Sequence, residues 1–259
     1  MSCGLLSSIA ARTNARSPLP RTARAAARYW TLCKMLLALD TCTNSPSIAL
    51  YAAQGIVGET TWRTREHHTR SLMPEIARLL ELVAVEPQQL QAIAAATGPG
   101  SFTGLRIGLS AAKGLAYSLN VALLGVPTLD ITASAGALLA LPLCAAMSTG
   151  RGRYAAALYE IRAQTPVRTS DYWFGTAEML APQIAERVRE PFVLLGEMDD
   201  ALPEQVRAYA GERMTLAPRA LQLRRAGFLA ELAWRRWQAG ERANVETLAP
   251  YYVPTAALA

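Results

Sequence analysis

The sequence predicts an α/β protein of two subdomains that meet near Leu141, on three observations. Near-continuous apolar runs at Met35–Thr41, Leu90–Thr97 and Val121–Val126 have the length and composition of strands buried on both faces. Between them the apolar period lengthens to that of a helix. After Leu141 a second series of apolar runs begins, again interleaved with helical patterns, so a mixed sheet carrying helices is expected in each half.

Each element follows from its local pattern. Met35–Thr41 (MLLALDT) closes on Asp40, and Ser45–Tyr51 and Ile56–Trp62, separated by Gln54-Gly55, read as an antiparallel meander. Leu72, Ile76, Leu79, Leu80 and Val83 recur at helical spacing with Arg78 and Glu81 on the polar side. Pro74 fits that helix if Ser71 caps it, because first-turn N–H groups have no intrahelical partner. Leu90–Thr97 runs into Gly98–Gly104 and a helix ending about Leu119; Val121–Val126 is a strand, and Pro127-Thr128 opens the next helix. In the second half, strands are expected at Leu143–Met147, Arg153–Ile161 and Phe192–Leu195, with helices at Thr176–Val188 and Arg219–Ala239. The expected subdomains are 35–141 and 142–259.

The 259 residues are 51% hydrophobic and 18% charged, the composition of a globular chain. The net charge of +6 is confined to one end. Residues 1–34 carry Arg12, Arg16, Arg21, Arg24, Arg28 and Lys34 with no acid, leaving 20 bases and 20 acids beyond them. A strongly cationic nucleic-acid surface on the body is therefore not expected. The Arg-rich, acid-free segment 1–34 resembles an organelle transit peptide, but Met35 directly before a strand favours a mis-called start; either way 1–34 is expected outside the fold. Cys3, Cys33, Cys42 and Cys144 form no CxxC pair and read as free thiols of a reducing compartment, hence a cytoplasmic protein. The longest uncharged stretch, Ile131–Gly150, is broken by Gly136 and Pro142 and is not a membrane span.

Catalytic patterns are sparse. His67 and His68 are adjacent, so no two-histidine metal face can form, and a capping or surface role is expected for them. GxSxG is absent. Gly98–Gly104 lacks the glycine at 103 that a dinucleotide fingerprint requires and the lysine of a phosphate loop, so Ser101 or Thr103 is expected as a helix cap. In the helix that follows, Gly104, Gly108, Ala111, Ala112 and Leu115 share one face. Two helical glycines cost about 1 kcal/mol each, which close approach of another backbone would offset; spacing leaves open whether that neighbour is internal or a partner.

Met35–Thr41, Arg65–His68 with Leu72–Pro74, Thr97–Gly108 (TGPGSFTGLRIG), Ala112–Ala116, Gly125–Leu129 and Pro250-Tyr-Tyr252 together closely resemble the TsaB (YeaZ) family. The resemblance implies an actin-like ATPase fold of two α/β subdomains whose last helix returns to the first. It implies a non-catalytic scaffold in the bacterial complex that places threonylcarbamoyl on the tRNA adenosine 3′ of the anticodon. The implied partners are the catalytic TsaD paralogue, which holds a metal through HxxxH, and the ATPase TsaE; ATP and metal are expected on those subunits, and tRNA is reached through the complex. By the same resemblance, Leu72, Ile76, Leu79, Leu80 and Val83 with Gly104, Gly108, Ala111, Ala112 and Leu115 would form a four-helix contact with TsaD or with a second copy. Gly108→Leu is then expected to disrupt pairing and spare the fold.

An actin-like nucleotide site pairs an Asp-ended strand with a glycine-rich hairpin that approaches phosphates. Asp40 and Thr41 are present, but no glycine occurs between residues 40 and 54, so the site is expected to be degenerate. An autonomous actin-like ATPase or small-molecule kinase is the alternative that Asp40 keeps open. The family's Asp-Ala-Arg and Glu-Val-Tyr segments are replaced by Ser148-Thr149-Gly150 and Arg153-Tyr154.

Overall fold

A computed structural model describes residues 33–63 and 68–252. The expectations for 1–32 and for the His67 and His68 side chains fall outside the described residues.

The first sheet is ordered β3-β2-β1-β4-β5, from β1 (Met35–Asp40), β2 (Ser47–Ala52), β3 (Gly55–Thr61), β4 (Leu90–Ala96) and β5 (Ala122–Val126). β1, β4 and β5 are parallel, and β2 and β3 extend the sheet antiparallel. α1 (His68–Leu82) and α2 (Phe102–Leu119) cover one face, packing on Leu37, Leu39, Ile48 and Ile93. Helices on both faces explain why every residue of β1 is buried.

The second sheet repeats that plan: β11 (Met214–Leu216), β10 (Phe192–Leu195), β6 (Leu143–Gly150), β7 (Arg153–Arg162) and β8 (Thr165–Arg168), with β9 (Trp173–Thr176) also on β7. α4 (Ala177–Arg187) and α5 (Ala201–Ala210) cover its outer face around Cys144, Ala146 and Phe192. α3 (Thr128–Ser134) packs on its other face through Leu129 and Ala133. The last helix, α7 (Ala226–Gln238), lies on the first sheet against Leu36, Ala38 and Ala49.

Two expectations are corrected. α1 begins at His68, so Ser71 is inside the helix and Pro74 removes one bond from its ladder. The single helix expected over Arg219–Ala239 is two: α6 (Arg219–Gln222) ends at Leu223, and Leu223 and Arg225 have extended dihedrals before α7. That break carries Arg224 into the interior. Among the described residues no helix is long and apolar enough to cross a membrane.

Candidate functional site

Burial of β1 on both faces delivers Asp40, its last residue, to the junction of the two sheets with 2% exposure. Arg224 meets it there, itself 2% exposed. Nε donates to Oδ2 at 2.5 Å and Nη2 to Oδ1 at 3.2 Å, a two-pronged contact between residues 184 positions apart. Arg224 reaches the second sheet as well. Its Nη1 lies 3.6 Å from Glu197 Oε1, just beyond β10, and its backbone N–H donates to the same oxygen at 3.2 Å. One guanidinium thus ties β1 of the first subdomain to the end of β10 in the second.

Burial alone would push the Asp40 carboxyl up, but the Arg224 charge, its hydrogen bonds and the Cys42 N–H overcome this and hold it below the ordinary carboxylate value. A carboxylate depressed in the folded state stabilises fully above its unfolded value of about 4 and loses that contribution as pH falls through the folded value. Urea midpoints are therefore expected to show no Asp40 contribution to pH dependence between pH 5 and 8. Below about pH 4 native stability should fall more steeply than that of an Asp40→Asn variant.

A magnesium-bound nucleotide does not fit these residues. Both Asp40 oxygens are engaged by Arg224, and Oδ1 also accepts from Cys42 N–H at 2.9 Å. The loop after β1 is clamped as well: Ser101 N–H donates to Cys42 O at 2.8 Å and Thr41 Oγ1 donates to Gly104 O at 2.6 Å. Asp40 and Thr41, the residues expected at a degenerate nucleotide site, thus lie together, joined to structure rather than open to a ligand.

That clamp explains the glycine-rich turn. Ser101 caps α2, its Oγ accepting from Gly104 N–H at 3.3 Å. A Cβ on Gly104 would stand 2.0 Å from Thr41 O, and one on Gly108 2.3 Å from Thr41 Oγ1. Gly98, at φ +110°, would meet Tyr251 O at 2.4 Å. The backbone that α2 approaches closely is therefore the Thr41 loop of its own chain, which corrects the partner assignment for Gly104 and Gly108. Leu72, Ile76, Leu79, Leu80 and Ala112 are also turned inward, each no more than 6% exposed, in the core beneath the two helices. Sequence periodicity had found the apolar stripe; in the fold that stripe is spent on the sheet.

Of the expected contact set, Val83, Ala111 and Leu115 remain half-buried at the surface. Beside them, Ile107 is half-buried, and Ser110, Gly114 and Leu82 are exposed, with open space around Gly114. The chain after α7 runs back along the other side of α2, where Lys113 Nζ donates to Glu246 O at 3.2 Å and Arg106 Nε to Tyr252 Oη at 2.8 Å.

Among the described residues no three His, Cys, Asp or Glu side chains converge as a metal centre. Among the described residues Cys42 and Cys144 are buried and in no disulfide, and burial pushes both thiols up, the latter to about 12. The Ser148–Tyr154 segment forms the β6–β7 hairpin, with Tyr154 buried and its hydroxyl donating to Asp199. Sequence reasoning missed Arg224 and Glu197; an Arg-Arg pair at 224–225 within an apolar helical stripe was the available signal.

A family model described as "TsaD: tRNA N6-adenosine threonylcarbamoyltransferase" matches residues 42–259. The tRNA threonylcarbamoyladenosine biosynthesis protein TsaB of Bacillus subtilis is 37% identical over 101 residues, covering 39% of this chain and 44% of that protein. TsaB of Escherichia coli is 36% identical over 94 residues, 36% of this chain and 40% of that protein. The matched segment thus spans less than half the length of these curated relatives. A structure of YeaZ from Pseudomonas aeruginosa superposes with a TM-score of 0.68 at 26% identity, covering 85% of this chain and 100% of that one. The fold is that of the actin-like ATPase superfamily.

Proposed function

Because the chain belongs to the family described as TsaD: tRNA N6-adenosine threonylcarbamoyltransferase, and TsaB and YeaZ proteins are among its similar sequences and structures, we propose that it is the non-catalytic subunit of a cytoplasmic complex that transfers threonylcarbamoyl to the tRNA adenosine 3′ of the anticodon. It pairs with the catalytic TsaD paralogue, which together with the ATPase TsaE supplies metal and ATP chemistry. One observation supports the non-catalytic role above others: the acid at the end of β1 is held by Arg224 inside a closed junction.

The contact with TsaD is proposed over the outward sides of α1 and α2, through Leu82, Val83, Ile107, Ala111, Gly114 and Leu115. On these two helices small and apolar groups are left exposed or half-buried. The same surface would serve a homodimer when TsaD is absent.

Reconstitution tests the function. TsaD and TsaE with substrates should modify tRNA only when this chain is added, and this chain alone should give neither modified tRNA nor ATP hydrolysis. Calorimetry of the chain with Mg-ATP should show no saturable heat. Turnover by the chain alone, or saturable Mg-ATP binding, would instead favour an autonomous ATPase.

A further inference from the structure

A row of aromatic rings runs from the first subdomain to the second and is not used by the pairing surface. Phe102 begins α2, Tyr251 and Tyr252 lie on the returning C-terminal segment, and Tyr172 and Phe174 belong to the second subdomain. Ring centroids are 5.0 Å apart for Phe102–Tyr252, 5.3 Å for Tyr251–Tyr172 and 6.4 Å for Tyr251–Phe174. Two arginines flank the row: Arg106 Cζ stands 3.8 Å from the Phe102 centroid, and Arg168 Cζ 4.2 Å from that of Tyr172. Phe102, Tyr251 and Tyr252 are not consumed by folding, remaining 54%, 43% and 38% exposed, whereas Tyr172 and Phe174 pack partly against the second core. The segment is already anchored by Tyr251 N–H on Thr97 O and by Val245 and Leu248 packed against the core.

Partly exposed rings with guanidinium groups laid over them match unstacked bases joined by phosphates, where a base stacks on a ring or on a guanidinium plane and the outer N–H groups of each arginine meet a phosphate. The positive N-terminal end of the 18-residue α2, at Phe102, adds to the attraction for phosphate. We propose that Phe102, Arg106, Tyr252, Tyr251, Tyr172 and Arg168 form a docking surface for single-stranded RNA, such as the loop of a stem-loop. This inference rests on the proposed place of the chain in a tRNA-modifying complex. It also reconciles RNA contact with a body of balanced charge, because stacking rather than net charge supplies the binding.

The test is fluorescence anisotropy of the full chain with a labelled anticodon stem-loop RNA and, separately, a blunt RNA duplex. The native chain should prefer the stem-loop. Phe102→Ala with Tyr252→Ala should weaken that binding by roughly tenfold or more, and Phe102→Tyr with Tyr252→Phe should preserve it. Two phosphate contacts predict a shallow salt dependence, a log–log slope of about −1.4 for a single strand. No binding, equal binding of the duplex, or unchanged affinity in the alanine variant would overturn the surface. So would a slope of about −4, which assigns the RNA to the six cations of residues 1–34. Size-exclusion chromatography with TsaD on the same variants separates the two ideas. Failure of the native chain to pair counts against the proposed complex, whereas retained pairing with unaltered RNA affinity counts against this surface alone.

Discussion

Replacing Arg224 by alanine is expected to destabilise the folded chain by about 3–5 kcal/mol, the usual cost of leaving one member of a buried ion pair unpartnered. Asp40 would then be a buried carboxylate keeping the Cys42 N–H but neither guanidinium bond, with Glu197 losing its contact at the same place. The loss should not depend on the pair being favourable in itself. A double change, Asp40→Asn with Arg224→Met, removes both charges and should recover much of the stability, because pairs of this kind often exchange for uncharged groups at little net cost. Urea denaturation of the three proteins at neutral pH measures both effects. An Arg224→Ala protein within about 0.5 kcal/mol of native, the range of ordinary surface changes, would mean that Arg224 does not hold the subdomains together.

Two glycines on α2 should respond in opposite ways. Gly108→Ala places a Cβ 2.3 Å from Thr41 Oγ1, so the Thr41 side chain must move and give up its bond to Gly104 O. The expected cost is about 1–3 kcal/mol, that of overpacking a filled interior. Gly114 has open space where its Cβ would stand. Gly114→Leu should leave stability unchanged or raise it by up to about 1 kcal/mol through helix propensity. On the proposed contact surface, however, that side chain would hold the partner helix away, and affinity for TsaD should fall by at least about tenfold, or 1.4 kcal/mol. Thermal unfolding and a titration with TsaD read the two outcomes separately. Undiminished pairing by Gly114→Leu would move the contact off α2.

What the sequence revealed and what it withheld divide along contact distance. The parallel strands of the first subdomain were legible because β1 is buried throughout, and β4 (Gln91 apart) and β5 are mostly so, and they read as near-continuous apolar runs. The glycines at 104 and 108 were legible as a demand for close approach, but not their neighbour, Thr41, which lies 63 residues before Gly104. Helical spacing placed Leu72, Ile76, Leu79 and Leu80 on one face correctly, yet a stripe of that width serves a sheet or a partner equally well. Asp40 stood out at its strand end, whereas Arg224 was hidden by a helical pattern on both sides of it. Continuous periodicity masked the break between α6 and α7, which places Arg224 against Asp40. The short strands β8, β9 and β11 carried too little periodicity to separate from loops, whereas α5, with Leu202, Val206 and Ala210 on one buried face, was legible and was overlooked.

The central claim is that this chain acts by pairing with a catalytic relative while its own junction stays closed. Sedimentation of an equimolar mixture with the TsaD paralogue at micromolar concentration, without added nucleotide, tests it most directly. A single species with the mass of a one-to-one complex is the predicted result; two independent boundaries at the masses of the separate proteins would contradict it.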